Sequence, residues 1–246
     1  MSLTDKLSDP ASWERFYEYK TSLVFPEREK KALRAFIDEK RYLPVCEGIA
    51  RGERFPLPKR SVISKLSTQK KRVVYTYPEA ENRVLKLLTY LLLRKYDGLF
   101  APGLFSFRPG RSAKDAVEHL LRTPGLEKKY AYKADVSNYF NSIPIERLLP
   151  KLRGALGEDE ELYAFLARLL EEEEALDRGK PIREQKGIMA GTPLASYYAN
   201  LYLADLDREF CEEGVPYCRY SDDVIFFADT REQIELLAER FRAAIA

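Results

Sequence analysis

Apolar positions along this chain fall into stretches with helical spacing and others that alternate as strands do. Ser12 to Tyr19 and Pro26 to Glu39 read as helices, the second with its proline near the start, where a fixed φ is tolerated. Pro78 opens a further helix to about Tyr96, with Val84, Leu87, Leu88, Leu91 and Leu92 at helical spacing. Ser112 and Asp115 form a capping-box-like start for a helix carrying Ala116, Val117 and Leu120. Residues 145–176 predict one or two helices with an acidic outer face, Pro193 to Glu212 another, and Arg231 to Ala246 an amphipathic helix. Between them, Arg60 to Leu66 and Arg72 to Tyr77 are β-prone and flank the polar, basic run Ser67-Thr68-Gln69-Lys70-Lys71, the pattern of a hairpin. Tyr130 to Val136 is a short strand candidate, and Val215 to Tyr220 with Val224 to Ala228 predicts a second hairpin. Helices and antiparallel hairpins in irregular order predict an α+β fold. Ending on an amphipathic helix with no following element suggests a piece of a longer protein, and Met1-Ser2-Leu3 reads as an added start.

Composition narrows the classes. With 246 residues, 45% hydrophobic, 13 Phe and 16 Tyr, the chain can bury one large core or two small ones. No apolar run approaches the roughly 20 residues of a membrane helix, and the N-terminus lacks a signal-peptide layout, so a cytoplasmic protein without membrane partners is expected. Cys46, Cys211 and Cys218 are odd in number and form no CxxC, which argues against a disulfide framework and structural zinc. A lone His119 leaves little room for His-based acid–base chemistry. Net charge is only +2, but it is unevenly spread: eight basic residues from Arg51 to Arg72 face one acid, Glu53, and eight acids from Glu158 to Glu174 face one base, Arg168. A basic stripe suits a phosphate backbone and equally a solvated surface.

Three segments carry candidate chemistry. In Arg219-Tyr220-Ser221-Asp222-Asp223-Val224-Ile225, two adjacent aspartates sit between β-prone arms, so one turn would hold both carboxylates. Aspartate is a common turn residue anyway, yet clustered carboxylates repel unless a cation or proton compensates, and oxygen ligands suit Mg²⁺. In Lys133-Ala134-Asp135-Val136, an aspartate ends a short strand, as a turn cap or as a ligand. The third, Gly187-Ile188-Met189-Ala190-Gly191-Thr192-Pro193, is a loop of small residues leading into a helix, open to close approach by a ligand or simply an ordinary loop.

In this order, strand aspartate, small-residue loop with helix, and Tyr-x-Asp-Asp hairpin resemble motifs A, B and C of reverse transcriptases. Phe105-Ser106-Phe107-Arg108-Pro109-Gly110-Arg111-Ser112 is similar to the FRPGRS-type segment of bacterial group II intron-like enzymes, and Lys71-Arg72 with Pro78 and Arg83 resembles the fingers segment before it. The likeness runs from roughly Arg60 to Asp229.

The resemblance implies a right-hand polymerase: fingers over 1–112, palm with motif A over 113–144, a fingers or helical insertion over 145–190, and palm with motifs B and C over 191–246, stopping before the thumb. The palm would be an antiparallel sheet backed by helices. The implied activity is RNA-templated DNA synthesis from dNTPs on a DNA or RNA primer, with Mg²⁺ or substituting Mn²⁺ as cofactor. Asp135, Asp222 and Asp223 would be catalytic, holding metal together with the Val136 carbonyl. Phe140 falls at the steric gate against a ribose 2′-hydroxyl, though a core aromatic would look the same. Arg72 with Lys65 would grip the triphosphate, with Lys70 and Lys71 as alternatives, and Ala190 and Gly191 would line the nucleotide site. Arg108, Arg111 and Tyr220 would meet template or primer; structural ion pairing is an equal reading for the two arginines.

Three features depart from the family pattern. Ala190 stands where a Gln checks the nascent base pair, Ala195-Ser196 where Ser-Pro is usual, and Asn141 where an acid often follows the gate. Ala190 keeps alive a defence-type relative making untemplated DNA, and a non-catalytic nucleic-acid-binding module is a further rival. Neither the biological system nor the oligomeric state is legible.

Overall fold

The first helix starts where the Asp9 carboxylate accepts from the amides of Ala11 and Ser12, with Pro10 at its first position: α1 (Pro10–Ser22). The computed structural model describes residues 2–64, 71–184 and 187–245. α2 (Glu27–Asp38) follows Pro26 as expected, and α3 (Leu43–Ala50) comes unannounced. Its eight residues include a proline and a glycine, too short and too mixed for a helical repeat to register. β1 (Lys59–Ser64) and β2 (Lys71–Thr76) pair antiparallel from Lys59↔Thr76 to Ser64↔Lys71. The expected hairpin tip, with Lys65 and Lys70, lies outside the described residues.

α4 (Glu79–Lys95) follows Pro78, and α5 (Ala113–Leu121) begins with the reciprocal Ser112–Asp115 capping box. After β3 (Tyr130–Asp135) and the single turn α6 (Tyr139–Ser142) come α7 (Ile145–Leu156) and α8 (Glu160–Glu171). Helix was expected to run to 176. Instead β4 (Glu174–Asp177) and β5 (Lys180–Arg183) form a hairpin around Arg178 and Gly179, both at positive φ (50° and 81°). The charge of Glu171–Glu174 masked this short strand, which pairs with β5 from Glu174↔Arg183 to Asp177↔Lys180 and, through Leu176, parallel to Lys59 of β1, giving a sheet of order β2-β1-β4-β5.

The single helix expected over 193–212 is two, α9 (Ala195–Tyr202) and α10 (Ala204–Glu212). Leu203 leaves the helical region (φ −101°, ψ 10°), and at this break the carbonyl of Asn200 accepts from the Arg219 guanidinium. β6 (Tyr217–Tyr220) and β7 (Asp223–Ala228) make the predicted hairpin, and β7 also pairs with β3 in a sheet of order β3-β7-β6. α11 (Arg231–Ile245) opens on a reciprocal Thr230–Gln233 cap. Mixed helices and largely antiparallel sheets realise the α+β expectation.

The chain divides into two compact units, one of Met1–Leu92 and Leu156–Ala195, the other of Leu93–Ala155 and Ser196–Ala246. In the first, Trp13 stacks on Tyr42 at 4.8 Å, and its indole N–H donates to the Leu7 carbonyl, so a fully buried indole keeps a partner. In the second, one face of the β3-β7-β6 sheet is the core. Tyr217, Val224, Phe226 and Ala228 pack against Leu206 and Phe210 of α10 and Ile234, Leu237 and Phe241 of α11. Each large side chain buried there contributes about 1.5–3 kcal/mol. Among the described residues no helix is long and apolar enough to cross a membrane.

Candidate active site

Strand alternation decides which side chains reach the site. Along β3, Tyr132 and Ala134 pack against the core, while Lys133 and Asp135 point the other way and are exposed. Along β7, Val224, Phe226 and Ala228 are buried and Asp223 is exposed. The register sets Asp135 directly opposite Asp223, so the two carboxylates share one face at one end of the sheet, on Cβ atoms about 5 Å apart. Tyr220 pairs with Asp223, which leaves Ser221 and half-buried Asp222 as a two-residue turn. The Val136 amide donates to the Asp222 carbonyl at 3.0 Å, tying the end of β3 to that turn. Lys133 Nζ lies 3.9 Å from Asp223, an exposed pair that solvent weakens.

The turn rests on a buried polar layer. Arg219 and Asp207 are both fully buried and joined at 2.8 Å and 2.5 Å, and the Tyr217 hydroxyl donates to the same carboxylate at 2.5 Å. Burial opposes the charge of Arg219, but Asp207 outweighs it and the guanidinium pKa ends above its ordinary value. Burial first, then the negative Asp207, pushes the Tyr217 hydroxyl well up, so both sites hold their protons. Arg219 further donates to the carbonyls of Asn200 (3.0 Å) and Ser221 (3.4 Å). Sequence reasoning missed this layer. Its one signal was a charged residue inside the apolar stretch Val215–Tyr220, at a strand position that turns out to face the core.

The remaining expected site residues fall as follows. Phe140, in α6, is half-buried beside Tyr139, whose hydroxyl donates to the Ala199 carbonyl at 2.7 Å. Tyr220 is 40% exposed at the end of β6. Arg111 donates to the Pro102 carbonyl at 2.7 Å and covers the Phe105 ring. Arg108 is buried; its guanidinium binds Asp97 and the carbonyls of Ala101 and Leu104, so it pins its own loop, the structural reading of this arginine. These belong to the second unit. In the first, Arg72 is exposed on β2 opposite Ile63, and Lys65 lies outside the described residues.

Ala190 and Gly191 also belong to the first unit, where the Ala190 carbonyl accepts from the Tyr75 amide at 2.8 Å. Gly191 sits at φ +93°, and a Cβ there would meet the Val74 Cβ at 3.1 Å and the Tyr75 carbonyl at 3.2 Å. Gly191→Ala is therefore expected to destabilise the fold by about 2 kcal/mol through left-handed strain and the crowded strand. Denaturant unfolding checks it; an unchanged midpoint would show that the loop adapts.

Asp135, Asp222, Asp223 and the Val136 carbonyl offer only oxygen donors, the hard ligand type that Mg²⁺ takes. Among the described residues no three acidic, His or Cys side chains close into a metal cage. Mg²⁺ takes one or two carboxylates and completes its shell with water and substrate phosphates, so an open carboxylate face is compatible with it.

The sequence profile of the reverse transcriptase (RNA-dependent DNA polymerase) family matches residues 57–246. No curated protein matches the chain. Among solved structures it is similar to apo telomerase from Candida tropicalis truncated from its C-terminal domain, at 13% identity and TM-score 0.60, covering 75% of this chain and 46% of that one. A partial Cas6-RT-Cas1–Cas2 complex aligns at 16% identity and TM-score 0.52, over 100% of this chain and 42% of that one. Telomerase from Candida albicans, in complex with a fragment of telomeric RNA, aligns at 13% and 0.53, over 87% and 44%. The chain spans less than half the length of each. At such identities the likeness is one of fold, that of polymerase fingers and palm with antiparallel sheets backed by helices.

Proposed function

Because the chain belongs to the reverse transcriptase family, we propose that it copies RNA into DNA, transferring nucleotides from dNTPs to the 3′-hydroxyl of a DNA or RNA primer. One observation carries this reading: Asp135 and Asp223 face each other across the β3–β7 ladder, and Asp222 occupies the adjoining turn. These carboxylates with the Val136 carbonyl would hold Mg²⁺, or Mn²⁺ in its place. The ion, when bound, supplies charge neutralisation at the triphosphate and acidifies the primer hydroxyl.

The chain's own residues do the rest. We read the first compact unit as fingers and the second as palm. Arg72, with Lys65, presents a fingers cation to the triphosphate, the arginine through its bidentate fork. Phe140 closes the sugar site against a 2′-hydroxyl. Phe140→Val is expected to raise the relative kcat/KM for ribonucleotides by tenfold or more, on the order of what one steric contact decides. Unchanged discrimination would return Phe140 to the core. Tyr220 and Arg111 would contact nucleic acid, while the donors of Arg108 are engaged by its own loop. The Phe105–Ser112 segment and Ser221 support a bacterial, group II intron-like lineage.

A second reading, untemplated DNA synthesis, is favoured by Ala190 alone. Its methyl group carries no amide to sense a base pair, and its carbonyl is engaged by Tyr75. Primer extension on an RNA template with Mg²⁺, beside Asp222→Asn, tests both. Product complementary to the template supports the first reading, and random or homopolymeric product the second. Equal product from parent and variant would end the metal-ligand assignment, and no product from either would favour a merely nucleic-acid-binding module.

A further inference from the structure

Ser221 has φ +62°, a left-handed conformation that serine adopts only under constraint. It is the first of the two turn residues, the place where hairpins of this kind usually carry glycine. Both polar groups of its backbone are held by fully buried side chains. Its amide donates to Ser106 Oγ at 2.8 Å, and its carbonyl accepts from Arg219 Nη1 at 3.4 Å. Neither holder is free to drift. Ser106 exchanges bonds with Asn200, through Oγ to Oδ1 at 3.3 Å and from Nδ2 to the Ser106 carbonyl at 2.9 Å. Arg219 is fixed by Asp207, and its own backbone pairs with the 103–105 loop, N–H to the Gly103 carbonyl and carbonyl to the Phe105 amide.

We propose that Ser106 and Arg219 are positioning residues that clamp Ser221 in this conformation and so set the carboxylates of Asp222 and Asp223. The inference rests on reading those carboxylates as the metal-holding pair. It gives the Phe105–Ser112 segment a task of its own: it acts on the catalytic turn from beneath, through Ser106, while Arg108 anchors the loop to Asp97. Without the Ser106 acceptor, the Ser221 peptide is left with one weak tie against its own strain. The turn then relaxes toward negative φ and carries Asp222 away.

A cycle of Ser106→Ala and Ser221→Gly in the full chain tests the clamp, because glycine adopts positive φ without strain and needs no holder. Ser106→Ala is expected to lower kcat for primer extension about tenfold, the size of one lost buried hydrogen bond, with KM for dNTP within about twofold. It should also raise the Mg²⁺ concentration for half-maximal rate. In the Ser221→Gly background the same change should cost less than about threefold. An equal penalty in both backgrounds overturns the clamp and leaves Ser106 an ordinary core residue. Chemical unfolding of the four proteins repeats the cycle without turnover, so an inactive parent would count against the proposed function while the coupling still decides the clamp. If Ser106→Ala alone fails to fold, recovery of folding by Ser221→Gly supports the clamp, and continued failure overturns it.

Discussion

Asp222→Asn is expected to lower primer extension by at least about a thousandfold, roughly 4 kcal/mol of transition-state stabilisation, while leaving the unfolding midpoint within about 0.5 kcal/mol of the parent. The amide keeps the size and turn-forming ability of the aspartate, so the β6–β7 hairpin and its Tyr220↔Asp223 pairing survive. What it removes is negative charge beside Asp135 and Asp223, the charge that would draw a divalent ion and the triphosphate it neutralises. The separation of the two readouts is the informative part. Loss of activity together with a large loss of stability would show that Asp222 builds the turn, and retained activity would move the metal site elsewhere.

Asp207→Ala has the largest expected effect on stability. It would leave the fully buried Arg219 guanidinium without its counter-charge and the Tyr217 hydroxyl without its acceptor. Breaking one side of a buried pair costs about 3–5 kcal/mol, which for a chain of this size moves Tm by on the order of 10 °C. Arg219→Met combined with Asp207→Leu should cost less than Asp207→Ala alone, because no charge is then left buried. Equilibrium unfolding of the single and double variants checks this; a double variant worse than the single would show that the pair stabilises the palm sheet on balance. Since Arg219 also holds Ser221, the double variant is expected to fold yet extend primers poorly. That would separate the stability of the layer from its use.

How much of this was legible depends on how local the cause was. The β6–β7 hairpin announced itself because two alternating apolar arms surround a pair of turn-forming aspartates, and register follows once the turn has two residues. The capping box of α5 was equally local, within four residues. The β4–β5 hairpin was hidden because Glu174–Asp177 has little β-propensity of its own; it pairs with β5 across the turn at Arg178 and Gly179, and Leu176 adds one pair to β1, more than a hundred residues earlier. The break between α9 and α10 left no mark in the periodicity, since it is occupied by the guanidinium of a residue not yet reached in the chain. For Arg108, nucleic-acid contact and structural ion pairing were equal readings of a family motif, and only folding showed its guanidinium bound to Asp97, Ala101 and Leu104.

The family and the α+β class were legible in the sequence, and three aspartates stood out as candidates, because motif spacing, strand alternation and turn chemistry are written over a few adjacent residues. Folding alone revealed that Asp135 stands opposite Asp223, that Ser221 is held at positive φ by Ser106 and Arg219, and that Asp207 balances Arg219 in the core. These depend on which strands pair and which polar groups must be satisfied once water is excluded. Both conditions arise when distant segments are buried together, and the charged Arg219 inside an apolar stretch was their one local trace.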